Sequence, residues 1–67
     1  MELEELISKL DRNMPVAIQV RNNNILRYDT VADLWEDFLF YQGIRFKLVK
    51  QVWYSKNLYN CLVIETW

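Results

Sequence analysis

Val16-Ala17-Ile18-Gln19-Val20-Arg21, followed by Asn22-Asn23-Asn24, decides the reading of the fold. The six residues alternate strictly: Val16, Ile18 and Val20 share one face, and Ala17, Gln19 and Arg21 the other. This period of two is that of a strand with one apolar face. Asparagine tolerates positive φ, so the triplet predicts a turn. A three-residue loop pairs Val20 with Leu26 and Ile18 with Tyr28, which keeps apolar groups opposite one another. A two-residue loop would set Val20 against Arg27. The three-residue hairpin is therefore expected, with Asn24 left-handed.

Upstream, Leu3, Leu6, Ile7 and Leu10 stand at i, i+3, i+4 and i+7, one face of a helix over residues 2–12. Glu2, Glu4 and Glu5 suit its positive end, Lys9 and Arg12 its negative end, and Pro15 stops it. Downstream, Thr30-Val31-Ala32-Asp33 resembles a capping box with aspartate in place of glutamate. It opens a second helix whose buried stripe is Val31, Leu34, Trp35, Phe38 and Tyr41 or Gln42. Asp33, Glu36 and Asp37 form its wet face, with Phe40 exposed beside them and Leu39 and Tyr41 extending that apolar rim. Gly43, the only glycine, is expected as its left-handed C-cap.

Residues 44–54 alternate again, with Ile44, Phe46, Leu48, Val52 and Tyr54 on one face. Lys50 interrupts that face, which predicts a bulge or an edge strand. Ser55-Lys56-Asn57 predicts a second three-residue turn, pairing Trp53 with Tyr59 and Tyr54 with Leu58, before a last strand over 58–66. The expected fold is a single α+β domain over residues 1–67, in the order α-β-β-α-β-β. It is a two-layer structure: a four-stranded antiparallel sheet with two helices on one face. Topology rules for a permuted ferredoxin-like arrangement place the last strand beside the second, with the first and third at the edges. The expected core is Leu3, Leu6, Ile7, Leu10, Val16, Ile18, Val20, Leu26, Tyr28, Val31, Leu34, Trp35, Phe38, Ile44, Phe46, Leu48, Val52, Leu62 and Ile64.

Composition narrows the function. The chain has 67 residues, a net charge of −1, one cysteine and no histidine. Cys61 alone excludes an internal disulfide, and the lack of histidine removes His-based triads, bases and metal sites. Asp33 and Asp37 lie one turn apart on a convex, wet helix face, a poor setting for acid–base catalysis. There is no phosphate-binding glycine loop. The expectation is a non-enzyme with no cofactor, no metal and no small-molecule substrate. The acidic start is unlike a signal peptide, and no apolar run approaches a membrane span, so a cytoplasmic protein is expected.

Charge is segregated. Acids collect on the helices, whereas residues 44–58 carry Arg45, Lys47, Lys50 and Lys56 and no acid. The sheet face away from the helices is expected to carry Arg45, Lys47, Trp53, Tyr59 and Trp67, the candidate contact residues. Aromatics and Arg enrich protein interfaces, so the partner is expected to be another protein, with a homodimer as one form. The alternative is single-stranded nucleic acid stacking on the same aromatics; against it stand the acidic net charge and the absence of an RNA-recognition signature. A cross-strand aromatic pair and a solvated basic face are the plainer explanation of the same residues. Asp33, Glu36 and Asp37, with Glu4 and Glu5, could imitate a phosphate array or simply keep the helices soluble.

Residues 3–34, LEELISKLDRNMPVAIQVRNNNILRYDTVADL, resemble the openings of many short proteins of bacterial phages and mobile elements. The resemblance is carried by Glu5-Leu6-Ile7 and Leu10, then Val16 to Val20, followed by a polar turn. That group includes small inhibitors of host defence of the anti-CRISPR type. The resemblance implies a protein that acts by binding a host protein, in some cases by imitating DNA. The basic sheet face departs from a DNA mimic.

Overall fold

The structure, a computed structural model, describes residues 1–67. Its elements run α1 (Leu3–Ile7), β1 (Val16–Val20), β2 (Leu26–Tyr28), α2 (Val31–Glu36), α3 (Phe38–Ile44), β3 (Val49–Ser55) and β4 (Cys61–Thr66). The class is α+β, with one four-stranded sheet as expected. The order differs, because the second helical segment is two helices. The sheet order is β2-β1-β4-β3. Both hairpins are antiparallel, but β1 and β4 lie side by side in parallel, from Val16 opposite Leu62 to Val20 opposite Thr66. The sheet is therefore mixed, its edges are the second and third strands, and the last strand lies beside the first. The α2–α3 segment carries the chain from one edge to the other.

Burial explains that order. β1 and β4 bury residues on both faces: Val16, Ala17 and Ile18 on one strand, Cys61, Val63, Ile64 and Thr66 on the other. Strands apolar on both faces belong in the middle of a sheet. Residues of all three helices meet the inner face, where Leu3, Ile7, Val31, Leu34, Tyr41 and Ile44 pack with Val16, Ile18 and Ile64. Full burial of each aliphatic side chain contributes about 1.5–3 kcal/mol. Leu26, Trp35, Phe38, Phe46, Leu48 and Val52, all expected in this core, are exposed instead. No helix is long and apolar enough to cross a membrane.

Local polar groups account for the shorter helices. The first helix ends at Ile7, with Ser8 as its C-cap and the Ser8 hydroxyl donating to the Glu5 carbonyl (2.8 Å). Asp11 then accepts from the Asn13 N–H (2.8 Å) to form a turn. That turn also supplies acceptors for the start of α2: Val31 N–H donates to the Met14 carbonyl and Ala32 N–H to the Arg12 carbonyl. Thr30 caps α2 as its sequence predicts, accepting the Asp33 N–H at 3.0 Å. Asp37, at φ −79° and ψ 68°, separates α2 from α3. The break turns Phe38 outward and brings Phe40 in, stacked on Tyr28 with ring centroids 6.2 Å apart; Tyr41 is buried, one of the two positions expected to end the stripe. Gly43 lies inside α3, which extends to Ile44, and has no positive φ.

Both turns are longer than the sequence predicts. Ile18 pairs with Leu26 and Val16 with Tyr28, two residues out of the expected register. Trp53 pairs with Val63 and Tyr54 with Leu62, a shift of four. Each shift is even, so the paired residues keep their expected faces, with two exceptions: past the bulge Val49 pairs with Thr66 and packs against the main core, and Leu58, expected in the last strand, lies exposed in the loop. The left-handed residues are Arg21 (φ 55°) and Asn60 (φ 52°), not Asn24. At Lys50 the register slips between Val49 and Gln51, the bulge that its position predicts, on a strand that is also an edge.

Candidate functional site

The outer edge of β3 is the most accessible apolar surface of the sheet. Val52, Trp53 and Tyr54 are consecutive and 41%, 38% and 63% exposed. Alternation sends Val52 and Tyr54 to the helical side and Trp53 to the other. β1 carries the core on the helical side, whereas Val52 and Tyr54 stand two strands away at the sheet's end. The edge is covered only at its start. There Val49 N–H donates to the Met1 carbonyl and Leu3 N–H to the Lys47 carbonyl, both at 2.8 Å. From Lys50 to Ser55 no strand lies alongside. Lysines 50 and 56 bracket the stretch, a placement that discourages indiscriminate edge pairing.

The five candidate contact residues do not form one surface. Arg45 is not on the sheet: it follows α3 and reaches Glu4 of α1 (2.6 Å) and the Gln42 side chain (3.1 Å). Its guanidinium carbon lies 4.7 Å from the centre of the Phe46 ring, and its Nε is buried without a partner. Lys47 belongs to the turn before β3 and is half-buried. Both residues therefore brace α1 against the α3–β3 connection.

Tyr59 sits in the β3–β4 loop, not opposite Trp53. It packs with Ile25 over Ala17, Cys61 and Val63, a small second core on the side of the sheet away from the helices. Its N–H donates to Ser55 Oγ (3.0 Å), and its carbonyl accepts from Arg27 Nε (2.7 Å). The outer face expected to lie open is thus closed at its centre by the chain's own loops. Burial pushes the Cys61 thiol up, against the opposing pull of the Arg27 guanidinium. Trp53 remains partly open, with its indole N–H donating to Glu65 Oε2 at 2.7 Å. Gln51 Nε2 donates to the same oxygen at 2.7 Å. A carboxylate therefore stands beside Trp53. Trp67 lies at the far end of β4, 60% exposed, with the Lys50 ammonium 4.8 Å from its ring centroid.

Sequence reading placed Trp53 on the accessible strand and missed Val52 and Tyr54 as accessible groups, because both alternate with the core pattern. The signal available for them was Lys50, whose interruption of the apolar face marks β3 as an edge. Compared with known proteins, the chain matches no family model, no curated protein and no solved structure.

Proposed function

We propose that the chain is a small non-catalytic protein-binding module that engages its partner through the free edge of β3. One observation carries this reading: Val52, Trp53 and Tyr54 are exposed together on an edge whose stretch from Lys50 to Ser55 has no neighbouring strand. An edge strand offers a row of backbone donors and acceptors to an extended segment. Side chains on its two faces add the selectivity that backbone pairing lacks. Aromatic groups at such an edge are the kind that dominate binding energy when desolvated. The role of inhibitor of a host protein, of the phage or mobile-element type, is proposed on the resemblance of residues 3–34 alone.

Tyr54→Lys tests the edge. It places a charge on an exposed position and should change stability by no more than about 0.5 kcal/mol. A protein retained from bacterial lysate by the parent chain should be lost by this variant at an unchanged melting temperature. Equal retention by both would remove the edge as the site. Sedimentation equilibrium at micromolar concentration separates two kinds of partner. A mass near 8.2 kDa points to a foreign protein, and twice that mass to a second copy.

A further inference from the structure

We propose that the cleft at the carboxyl ends of β1 and β4 binds a nucleoside phosphate, with the phosphate held by Arg21 and Lys50 and the base stacked on Trp67. The cleft is an open depression of about 340 Å³ lined by Arg21, Asn22, Lys50, Thr66 and Trp67. That volume lies at the lower end of small-ligand sites, roughly 300–1,000 Å³. No carboxylate side chain lines it. Neither cation forms an ion pair: the two salt bridges of the molecule join Arg27 to Asp29 and Arg45 to Glu4. Two cations without an ion-pair partner, Lys50 resting against the Trp67 ring, share one cleft in a chain of net charge −1.

The fold fixes the backbone from which each group projects. Arg21 adopts the left-handed conformation (φ 55°), with its N–H donating to the Thr66 carbonyl at 3.0 Å. Three asparagines, which hold that conformation more readily, follow directly, yet the arginine takes it. Lys50 is the bulge residue, and a bulge re-aims a side chain relative to its strand. Trp67 is tied by its N–H to the Leu48 carbonyl (3.1 Å), and its ring carries the Lys50 ammonium 4.8 Å from its centroid. A guanidinium fork and an ammonium together suit a phosphate, and the Asn22 amide adds a donor. On binding, the Lys50 ammonium turns from the ring to the phosphate, and the indole, 60% exposed, supplies a stacking surface that accepts any base. A bare oxyanion would leave that indole unused.

The phosphate and base could come from a free nucleotide or from a single strand. The full-length chain, labelled with nitrogen-15, is titrated with adenosine monophosphate, inorganic phosphate and a short oligothymidylate. Saturable shifts are expected at the Arg21, Asn22 and Lys50 amides and the Trp67 indole N–H. Arg21→Gln and Lys50→Gln should each weaken binding roughly tenfold, with the remaining amide spectrum unchanged. Trp67→Ala should reduce nucleotide affinity to that of phosphate. Tighter binding of the oligonucleotide identifies a single strand as the ligand, and equal binding a free nucleotide. The proposal is overturned if phosphate binds the parent chain as well as the nucleotide does, if both glutamine variants bind unchanged, or if no saturable shift appears.

Discussion

The Tyr28 hydroxyl donates to the Asp37 carboxylate over 2.8 Å, and Asp37 is the residue at which the helical segment breaks in two. Its dihedral angles lie close to those of an inverse γ-turn. The break preserves most helical bonding, since Asp37 N–H still donates to the Asp33 carbonyl and Tyr41 N–H to the Asp37 carbonyl. What it changes is direction. An unbroken helix would keep Phe38 on the stripe of Val31 and Leu34. The broken one exposes Phe38 and buries Ile44, while Tyr41 stays inside as the stripe predicts. The Tyr28 bond thus ties the β2 edge strand to the pivot that sets the helical layer.

Tyr28→Phe should lower stability by about 1 kcal/mol, the contribution of a hydrogen bond to a carboxylate at a half-exposed site. It should also change the response to alkali. Burial first, then the bond to Asp37 and its charge, hold the Tyr28 phenol above its ordinary value. The unfolded chain therefore releases this proton first, near pH 10, and stability falls as pH rises beyond that point. Thermal melts from about pH 9 to about pH 11 should show a steeper loss in the parent than in Tyr28→Phe. Some slope should persist in the variant, because burial and the charge of Glu4 also raise Tyr41. Parallel curves would mean that Tyr28 does not couple folding to alkaline pH.

Arg45 was expected to contact a partner, and its surroundings give it a different task. Its ion pair with Glu4 joins α1 to the end of α3, with side chains 28% and 39% exposed. Arg45→Ala should therefore lower the urea midpoint by an amount equivalent to about 1 kcal/mol, with additional loss from its packing on Phe46. Partner capture by the folded variant should be unaffected. An unchanged midpoint together with lost capture would return Arg45 to the binding surface.

The parts of the fold that the sequence makes legible are those fixed by period and parity. Val16, Ile18 and Ile64 are buried as their alternation predicts, and Lys50 marks both a bulge and an edge. Strand order was readable in principle, since Val16-Ala17-Ile18 and Leu62-Val63-Ile64 are continuous apolar runs of the kind found in central strands. Reading them only as alternating strands hid that signal. The helix break was not readable, because no proline or glycine marks it and the Tyr28 contact at Asp37 comes from another element. Loop length also escaped, since shifts of two and four residues leave the paired side chains on the same faces. The candidate site suffered most: Arg45 and Lys47 were placed on a strand by a pattern that α3 overrides as far as Ile44.

Tyr59 is the clearest case of a residue whose role the structure reassigns, and Cys61 reports on it. The thiol is 1% exposed, packed with Ala17 and Val63 beneath Tyr59 and Ile25. Burial holds its pKa above the ordinary thiol range, so little thiolate forms near neutral pH. An aromatic disulfide reagent at about pH 8 should label the native chain only through transient opening of the 56–60 loop. Tyr59→Ala removes the cover without touching the main core. Labelling should speed up roughly tenfold or more, equivalent to about 1.4 kcal/mol of easier opening, while the far-UV spectrum stays the same. Raising the pH should accelerate both proteins as the thiolate fraction grows. If Tyr59 instead projects as a free contact group, the substitution will leave the labelling rate unchanged. If labelling tracks global unfolding in both chains, the second core opens only with the first.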